Sequence, residues 1–172
     1  CGRHVGCLGA HRPAGAGCRD RARAGGRKSR DPLSRRQRHA REIADHLALH
    51  TGRKCFYTTP IKALSNQKYN DLVATYGADR VGLLTGDNSV NGDAPVVVMT
   101  TEVLRNMLYA GNALTRLAVV VLDEVHYLQD AYRGPVWEEV IIHLPHHVQL
   151  VCLSATVSNT AELADWIETV RG

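Results

Sequence analysis

No apolar run in the 172-residue chain approaches the ~20 residues that a membrane-spanning helix requires, which excludes a transmembrane anchor of that kind. The five cysteines are odd in number and form no C-x-x-C pair, against a zinc ribbon or a secreted disulfide scaffold. Residues 1–41 contain no apolar stretch of the signal-peptide type. The first residue is Cys1 rather than Met, so the chain is expected to be a fragment or to lack its natural start. No internal repeat is visible. What is present is a composition of 44% hydrophobic and 22% charged residues, enough for one globular core.

Charge is unevenly divided. Residues 1–41 hold eleven Arg and Lys28 against Asp20 and Asp31, a net of +10, while the remaining 131 residues hold nine basic and fifteen acidic side chains, a net of −6. In residues 1–41 the only Val, Leu or Ile are Val5, Leu8 and Leu33, with no helical or strand period. Such a segment buries too little apolar surface to offset its ordering entropy and is expected to be disordered. It reads as an arginine-rich RNA-binding arm, as a solvated tail, or as a stretch translated out of frame. Residues 42–172 are expected to form the folded domain.

From Glu42 the pattern is that of alternating helices and strands. Ile43, Leu47 and Leu49 suggest the end of a helix stopped at Gly52. Strands are expected at Lys54–Thr58, Val81–Leu84, Pro95–Met99, Ala118–Leu122 and Val148–Leu153. Between them, Thr59-Pro60 predicts an N-cap and first helical residue. The helix continues through Ile61, Leu64, Leu72 and Tyr76 to Gly77. Thr100-Thr101 and Gly134-Pro135 open two more helices, and Asn159 with Glu162 caps a last one over Thr160–Val170. Several strands are apolar at every position, as in a parallel sheet covered on both faces. The expected fold is α/β, open and three-layered.

Polar residues gather where these strands end. Asp123-Glu124-Val125-His126 follows an apolar strand at the edge where open α/β sheets place ligands. One carboxylate there suits Mg²⁺ held through water and the other an attacking water; a solvated acidic turn is the alternative. Ser154-Ala155-Thr156 sits at another strand end, as hydroxyls able to meet a neighbouring carboxylate or His, or as simple helix-capping residues. Thr59, Pro60 and Lys62 at a helix start offer N–H groups, a hydroxyl and a cation to phosphate. Thr101-Glu102 repeats that arrangement, and Gly86-Asp87 forms a turn between. Each is equally what any capped helix or turn displays.

Taken in order, Thr-Pro-x-Lys-Ala-Leu, Thr-Gly-Asp, Thr-Thr-Glu, Asp-Glu-Val-His and Ser-Ala-Thr resemble the first RecA-like domain of a superfamily 2 DExH-box helicase. The wider stretches Cys55–Lys68, Val97–Leu108 and Gly134–Glu139 resemble the exosome-associated, superkiller-type RNA helicases, nearest to their actinobacterial members. The likeness covers roughly residues 42–172. It implies a RecA-like (P-loop NTPase) three-layer sandwich, with ATP and Mg²⁺ as cofactors. Asp123 would hold Mg²⁺ through water, Glu124 would activate the hydrolytic water, and His126 would meet Ser154, Ala155 and Thr156 to couple ATP state to domain movement. Thr59, Pro60, Lys62, Gly86, Asp87, Thr101 and Glu102 would line a track for a single-stranded RNA backbone, with DNA as an alternative substrate. RNA-degrading machinery as partner, a cytoplasmic location and 3′ to 5′ translocation are implied in the same way.

The chain departs from that family at one decisive point. The sequence contains no G-x-x-x-x-G-K-[ST], whose glycines cradle the phosphates and whose Lys neutralises them. Gly15-Ala16-Gly17 lacks a following Lys, and Gly25-Gly26-Arg27-Lys28-Ser29 has Arg where Gly is required. The resemblance therefore begins after the P-loop, and the second RecA-like domain is not represented. The strand leading into the P-loop is expected to be missing, leaving Val148–Leu153 as an open apolar edge prone to intermolecular pairing. The rival to an ATP-dependent helicase is a non-catalytic RNA-binding module that relies on the basic tail.

Other residues carry bland readings. His143, His146 and His147 surround Pro145 and read as a solvated turn. Cys55 and Cys152 read as buried thiols suited to a reducing cytosol. Trp137 and Trp166 read as packing residues, while Tyr127 and Tyr132 have base stacking as an alternative. The charge division predicts that nucleic-acid affinity resides mainly in residues 1–41. Each phosphate neutralised on a single strand contributes a salt slope of ~−0.7, so deleting the tail should collapse both affinity and slope in a salt titration. Retained affinity would instead place binding on the Thr59–Lys62 and Thr101–Glu102 helix starts.

Overall fold

The computed structural model describes residues 6–8, 52–111, 114–154 and 160–172. The elements are β1 (Gly6–Leu8), β2 (Lys54–Thr59), α1 (Lys62–Tyr76), β3 (Val81–Thr85), β4 (Asn88–Val90), β5 (Val96–Thr100), α2 (Thr101–Tyr109), β6 (Leu117–Leu122), α3 (Gly134–His143), β7 (Gln149–Leu153) and α4 (Thr160–Arg171). Short 3₁₀ turns cover Ala78–Arg80 and Val125–Gln129. The helix expected before Gly52 and the disorder expected over residues 1–41 lie outside the described residues, apart from Gly6–Leu8.

The strands form one sheet in the order β1-β7-β6-β2-β5-β3-β4, parallel throughout except for the β3–β4 hairpin. Strand side chains alternate between two buried clusters. Phe56, Val97, Met99, Val120, Leu122 and Leu150 pack with Leu104 of α2, Trp137, Val140 and Ile141 of α3 and Ile167 of α4. Cys55, Tyr57, Val98, Val119, Val121 and Leu83 face the other way, toward Leu72 of α1. Both faces of the central strands are thus covered, which is why their sequences run apolar without alternation. The expected three-layer α/β fold is the observed one. No helix among the described residues is long and apolar enough to cross a membrane.

Three expectations are corrected. First, α1 begins at Lys62, with Ile61 in extended conformation as its N-cap. Thr59 stays in β2; its hydroxyl lies 2.7 Å from Ser65 Oγ and donates to the Ile61 carbonyl at 3.1 Å. It serves the helix from inside the strand rather than by capping an N–H. Second, β4 was not expected: its three residues are all exposed, so it leaves no hydrophobic signature. The hairpin is instead marked by Gly82, where a Cβ would lie 2.2 Å from the Asn91 carbonyl oxygen.

Third, the edge of β7 is not open. Gly6, Cys7 and Leu8 pair in parallel with Val151, Cys152 and Leu153. Three residues from the basic segment therefore occupy the place reserved for the missing strand. Pairing draws on backbone N–H and C=O groups, which any residue except proline supplies in full, so the scarcity of β-branched residues does not prevent it.

The end of α3 and the entry to β7 are held by one side chain. Arg171, buried in the last turn of α4, donates through Nη1 to the carbonyls of Ile141 and Leu144 at 3.1 and 3.0 Å. Through Nη2 it donates to Pro145 and Val148 at 3.2 and 2.8 Å. Carbonyls at a helix C-terminus have no partner within the helix, and a guanidinium fork suits several at once. His146 Nδ1 lies 2.9 Å from the Arg171 carbonyl, closing the clamp. Arg171→Met should leave these carbonyls unsatisfied and cost about 2–4 kcal/mol. Urea unfolding should show a lower midpoint with an unchanged slope.

Candidate nucleotide-edge site

Asp123 emerges directly from β6. Its backbone N–H donates to the Thr58 carbonyl at 3.0 Å, extending the β2–β6 ladder by one residue. The residue is 5% exposed, so its charge depends on partners inside the protein. Tyr57 of β2 donates its hydroxyl to Asp123 Oδ2 at 2.8 Å. Lys68 of α1, 8% exposed, brings Nζ to 4.0 Å from the same oxygen. Asp123 Oδ1 accepts the Glu124 N–H at 3.0 Å.

That last bond fixes the peptide plane that leads into an unusual backbone. Glu124 has φ 55 and ψ 45, left-handed for a residue with a Cβ, at a cost of about 1–2 kcal/mol. The turn lifts the Glu124 side chain from the sheet and starts the 3₁₀ turn that carries His126. His126 Nδ1 lies 3.1 Å from Glu124 Oε2 and 3.4 Å from Ser154 Oγ. Asp123, Glu124, His126 and Ser154 are therefore brought together. Ala155 and Thr156 lie outside the described residues.

Aromatic packing holds the 3₁₀ turn against the helical layer. The His126 and Tyr127 ring centroids are 4.8 Å apart, and Tyr127 stacks on Trp137 at 5.7 Å. The Arg133 guanidinium sits 5.4 Å above the Tyr127 ring. Gly134 is needed here: a Cβ would lie 2.5 Å from the Leu128 carbonyl oxygen. Tyr127 is thus a packing residue in this arrangement, whereas Tyr132 is 93% exposed.

The residues expected along the nucleic-acid track divide by exposure. Thr59, Pro60 and Thr101 are buried. Thr101 Oγ1 donates to the Thr59 carbonyl at 3.2 Å, tying the ends of β2 and β5 together. Lys62, Gly86 and Asp87 are exposed and, with Thr85 and Thr100, line an open cleft of about 400 Å³. Lys62 is hydrogen-bonded to Asp87, and that bond holds the Asp87 carboxyl below its usual range. Glu102 is half-buried in the first turn of α2.

Tyr57 and Lys68 carried no role in the sequence reading. Lys68 did leave a signal, since it stands four residues after Leu64 and four before Leu72, in the middle of the apolar stripe of α1. A lysine at such a position needs a buried anion. Among the described residues no group of three His, Cys, Asp or Glu is placed to hold a metal ion. A cation at Asp123 would thus rest on one carboxylate plus water and phosphate oxygens. That donor chemistry fits Mg²⁺, which keeps most of its waters.

Burial, and then the adjacent Asp123 charge, push the Glu124 carboxyl above its ordinary range, against the weaker pulls of His126 and Lys68. A raised carboxyl favours the protonated form in the fold. Its stabilisation is present below the unfolded pKa of about 4.3 and lost as pH rises through the folded value. Glu124→Gln, neutral at every pH, should therefore melt higher than the parent near neutral pH. The difference should shrink as thermal unfolding is repeated toward about pH 4.

Residues 39–164 match the family model described as DEAD/DEAH box helicase. The chain is 70% identical over 132 residues to "Probable helicase HelY" of Mycobacterium leprae, covering 76% of this chain and 14% of that protein. It is 55% identical over 140 residues to "DExH-box ATP-dependent RNA helicase DExH15 chloroplastic" of Arabidopsis thaliana, covering 76% of this chain and 12% of that protein. With "Antiviral helicase SKI2" of Saccharomyces cerevisiae the identity is 54% over 127 residues, covering 73% of this chain and 10% of the relative. The chain thus spans about a seventh or less of the length of these relatives. The solved structure of a hypothetical ATP-dependent RNA helicase from Sulfolobus tokodaii superposes with a TM-score of 0.57 at 17% identity, over 80% of this chain and 44% of that one, and shares its fold. A RecA-like sheet that delivers Asp-Glu-x-His at the end of β6, together with these matches, shows that the chain belongs to the DEAD/DEAH box helicase family.

Proposed function

We propose that residues 42–172 are most of the first motor domain of an ATP-dependent RNA helicase of the superkiller type, serving RNA processing or decay. The observation that carries the reading is the Asp123–Glu124–His126 turn, with His126 within reach of Ser154. It places a buried carboxylate, a half-exposed carboxylate and a polar relay at the carboxyl edge of a parallel sheet. Bound there, Mg²⁺ and ATP would supply the electrophilic phosphorus and the charge that polarises it. Asp123 would hold the cation through water. Glu124 would orient and deprotonate the attacking water, a task helped by a carboxyl held above its ordinary range. His126 would pass the ligand state to Ser154, Ala155 and Thr156. Lys62, Gly86 and Asp87 on the open cleft, together with Thr59, Pro60, Thr101 and Glu102, would meet the backbone of a single-stranded RNA tract, without reading bases. A cytoplasmic location and RNA-degrading machinery as partner belong to the same proposal.

The 172-residue polypeptide by itself is proposed to be inactive, because no G-x-x-x-x-G-K-[ST] stands in its sequence. The arginine-rich segment in its place is proposed to be an out-of-frame translation; a G-x-G-K-T pattern in another frame of the coding DNA would support this, and its absence would refute it. The same missing motif favours, as a second reading, a non-catalytic RNA-binding module that uses the basic tail. Each lost phosphate donor commonly costs a factor of ~10²–10³. The purified chain should accordingly hydrolyse ATP no faster than its Glu124→Gln variant. Turnover that RNA stimulates and Glu124→Gln abolishes would overturn the inactivity. Measured nucleotide affinity separates a weakened motor domain from a binding module.

A further inference from the structure

We propose that Tyr57 and Lys68 are positioning residues for the Asp123–Glu124 pair, acting through Asp123 to hold the left-handed turn that presents Glu124. The assignment of a task to that pair rests on the helicase reading; the tether itself does not.

Asp123 is buried, and its side chain has few orientations in which both oxygens find partners. Oδ2 takes the Tyr57 hydroxyl at 2.8 Å and faces Lys68 Nζ at 4.0 Å. With Oδ2 fixed, Oδ1 is left pointing along the chain, where it accepts the Glu124 N–H at 3.0 Å. That bond fixes the peptide plane entering Glu124, whose left-handed backbone a residue with a Cβ disfavours. Were the carboxylate to rotate, the bond would be lost and that plane would be free to turn, carrying the Glu124 side chain with it. The direction of the catalytic carboxylate therefore depends on two side chains that do not touch the reacting atoms.

Charge makes Lys68 more than a filler. Its ammonium is nearly as buried as the carboxylate it faces, with side-chain exposures of 9% and 7%. Neither charge is tolerated in that setting without the other. Tyr57 and Lys68 reach the carboxylate from different elements, one from the neighbouring strand and one from the covering helix. Their separation of 66 and 55 residues from Asp123 means that the tether forms only when α1 is docked on β2, β5 and β3. The same helix carries Lys62 at its first turn, so a motion of α1 at the open cleft would be felt at Asp123.

The test uses the full 172-residue chain without nucleotide and reads amide hydrogen exchange of Glu124 against Val120 in the middle of β6. Lys68→Met keeps an unbranched side chain one atom shorter and removes its charge. It should speed Glu124 exchange at least tenfold and leave Val120 unchanged. Tyr57→Phe should act in the same direction. Leu72→Ala, which loosens the α1 packing without touching Asp123, should move both amides together. In an Asp123→Asn background, Lys68→Met should not speed Glu124 exchange further, because the carboxylate that Lys68 holds in place is gone. If Lys68→Met leaves Glu124 exchange unaltered, shifts Glu124 and Val120 in parallel, or acts equally in both backgrounds, Lys68 is a packing residue and the proposal is wrong. An intact tether in this chain, with a full-length protein containing it that fails to hydrolyse ATP, would instead refute the proposed task of the Asp123–Glu124 pair alone.

Discussion

A parallel sheet with helices on both faces leaves little room in its central strands for a polar side chain. The apolar residues of β2, β5 and β6 point into one of two apolar clusters, where an unpaired polar group would be desolvated at a cost of several kcal/mol, on the order of 2–7. The buried Thr58 of β2 accordingly donates its hydroxyl to the Val121 carbonyl at 3.1 Å. Polar chemistry is therefore expelled to the strand ends. Because the strands run in parallel register, with Thr59 opposite Thr100, Thr58 opposite Leu122 and Leu122 opposite Cys152, the expelled residues share one edge. Thr59, Thr101, Asp123 and Ser154 come from strands far apart in sequence and meet there for that reason alone.

Along that edge, burial separates two kinds of residue. Asp123, Thr59 and Thr101 are enclosed and spend their polar atoms on neighbours within the fold. Lys62 and Asp87 face solvent and hold each other, an arrangement that screening keeps weak and that a ligand can displace. Glu124 stands between these extremes, half-buried, with its backbone held by Asp123 and its side chain beside His126. The buried residues set the position of the exposed ones, so the edge combines an enclosed anchor with groups that solvent leaves able to exchange partners.

Much of this arrangement was legible before the fold was known. The apolar runs ending in Asp123 and Ser154 marked both strands and the side on which they deliver chemistry. Gly77, with φ 90, ends α1 where the helical period stops. Gly134 opens α3 as Gly-Pro implied, and the close approach of the Leu128 carbonyl explains why glycine stands there. Less legible was β4, whose exposed residues carry no pattern, and β1, three residues whose pairing with β7 uses only backbone groups. Thr59 was read as a helix cap because its neighbour is proline; the strand kept it, since its hydroxyl reaches Ser65 without leaving the ladder.

The sequence by itself determined the alternation of strands and helices, the burial of the sheet on both faces and the identity of the polar residues at its edge. These follow from local period and composition, which record whether a residue is buried. Only the tertiary structure decided which partner each buried charge would have. Lys62 and Lys68 lie on one helix, six residues apart; one ends in solvent beside Asp87, the other beneath the sheet edge against Asp123. Burial is written into the spacing along a helix, but pairing depends on strand order and on which helix covers which strand, and these are settled only when distant segments pack.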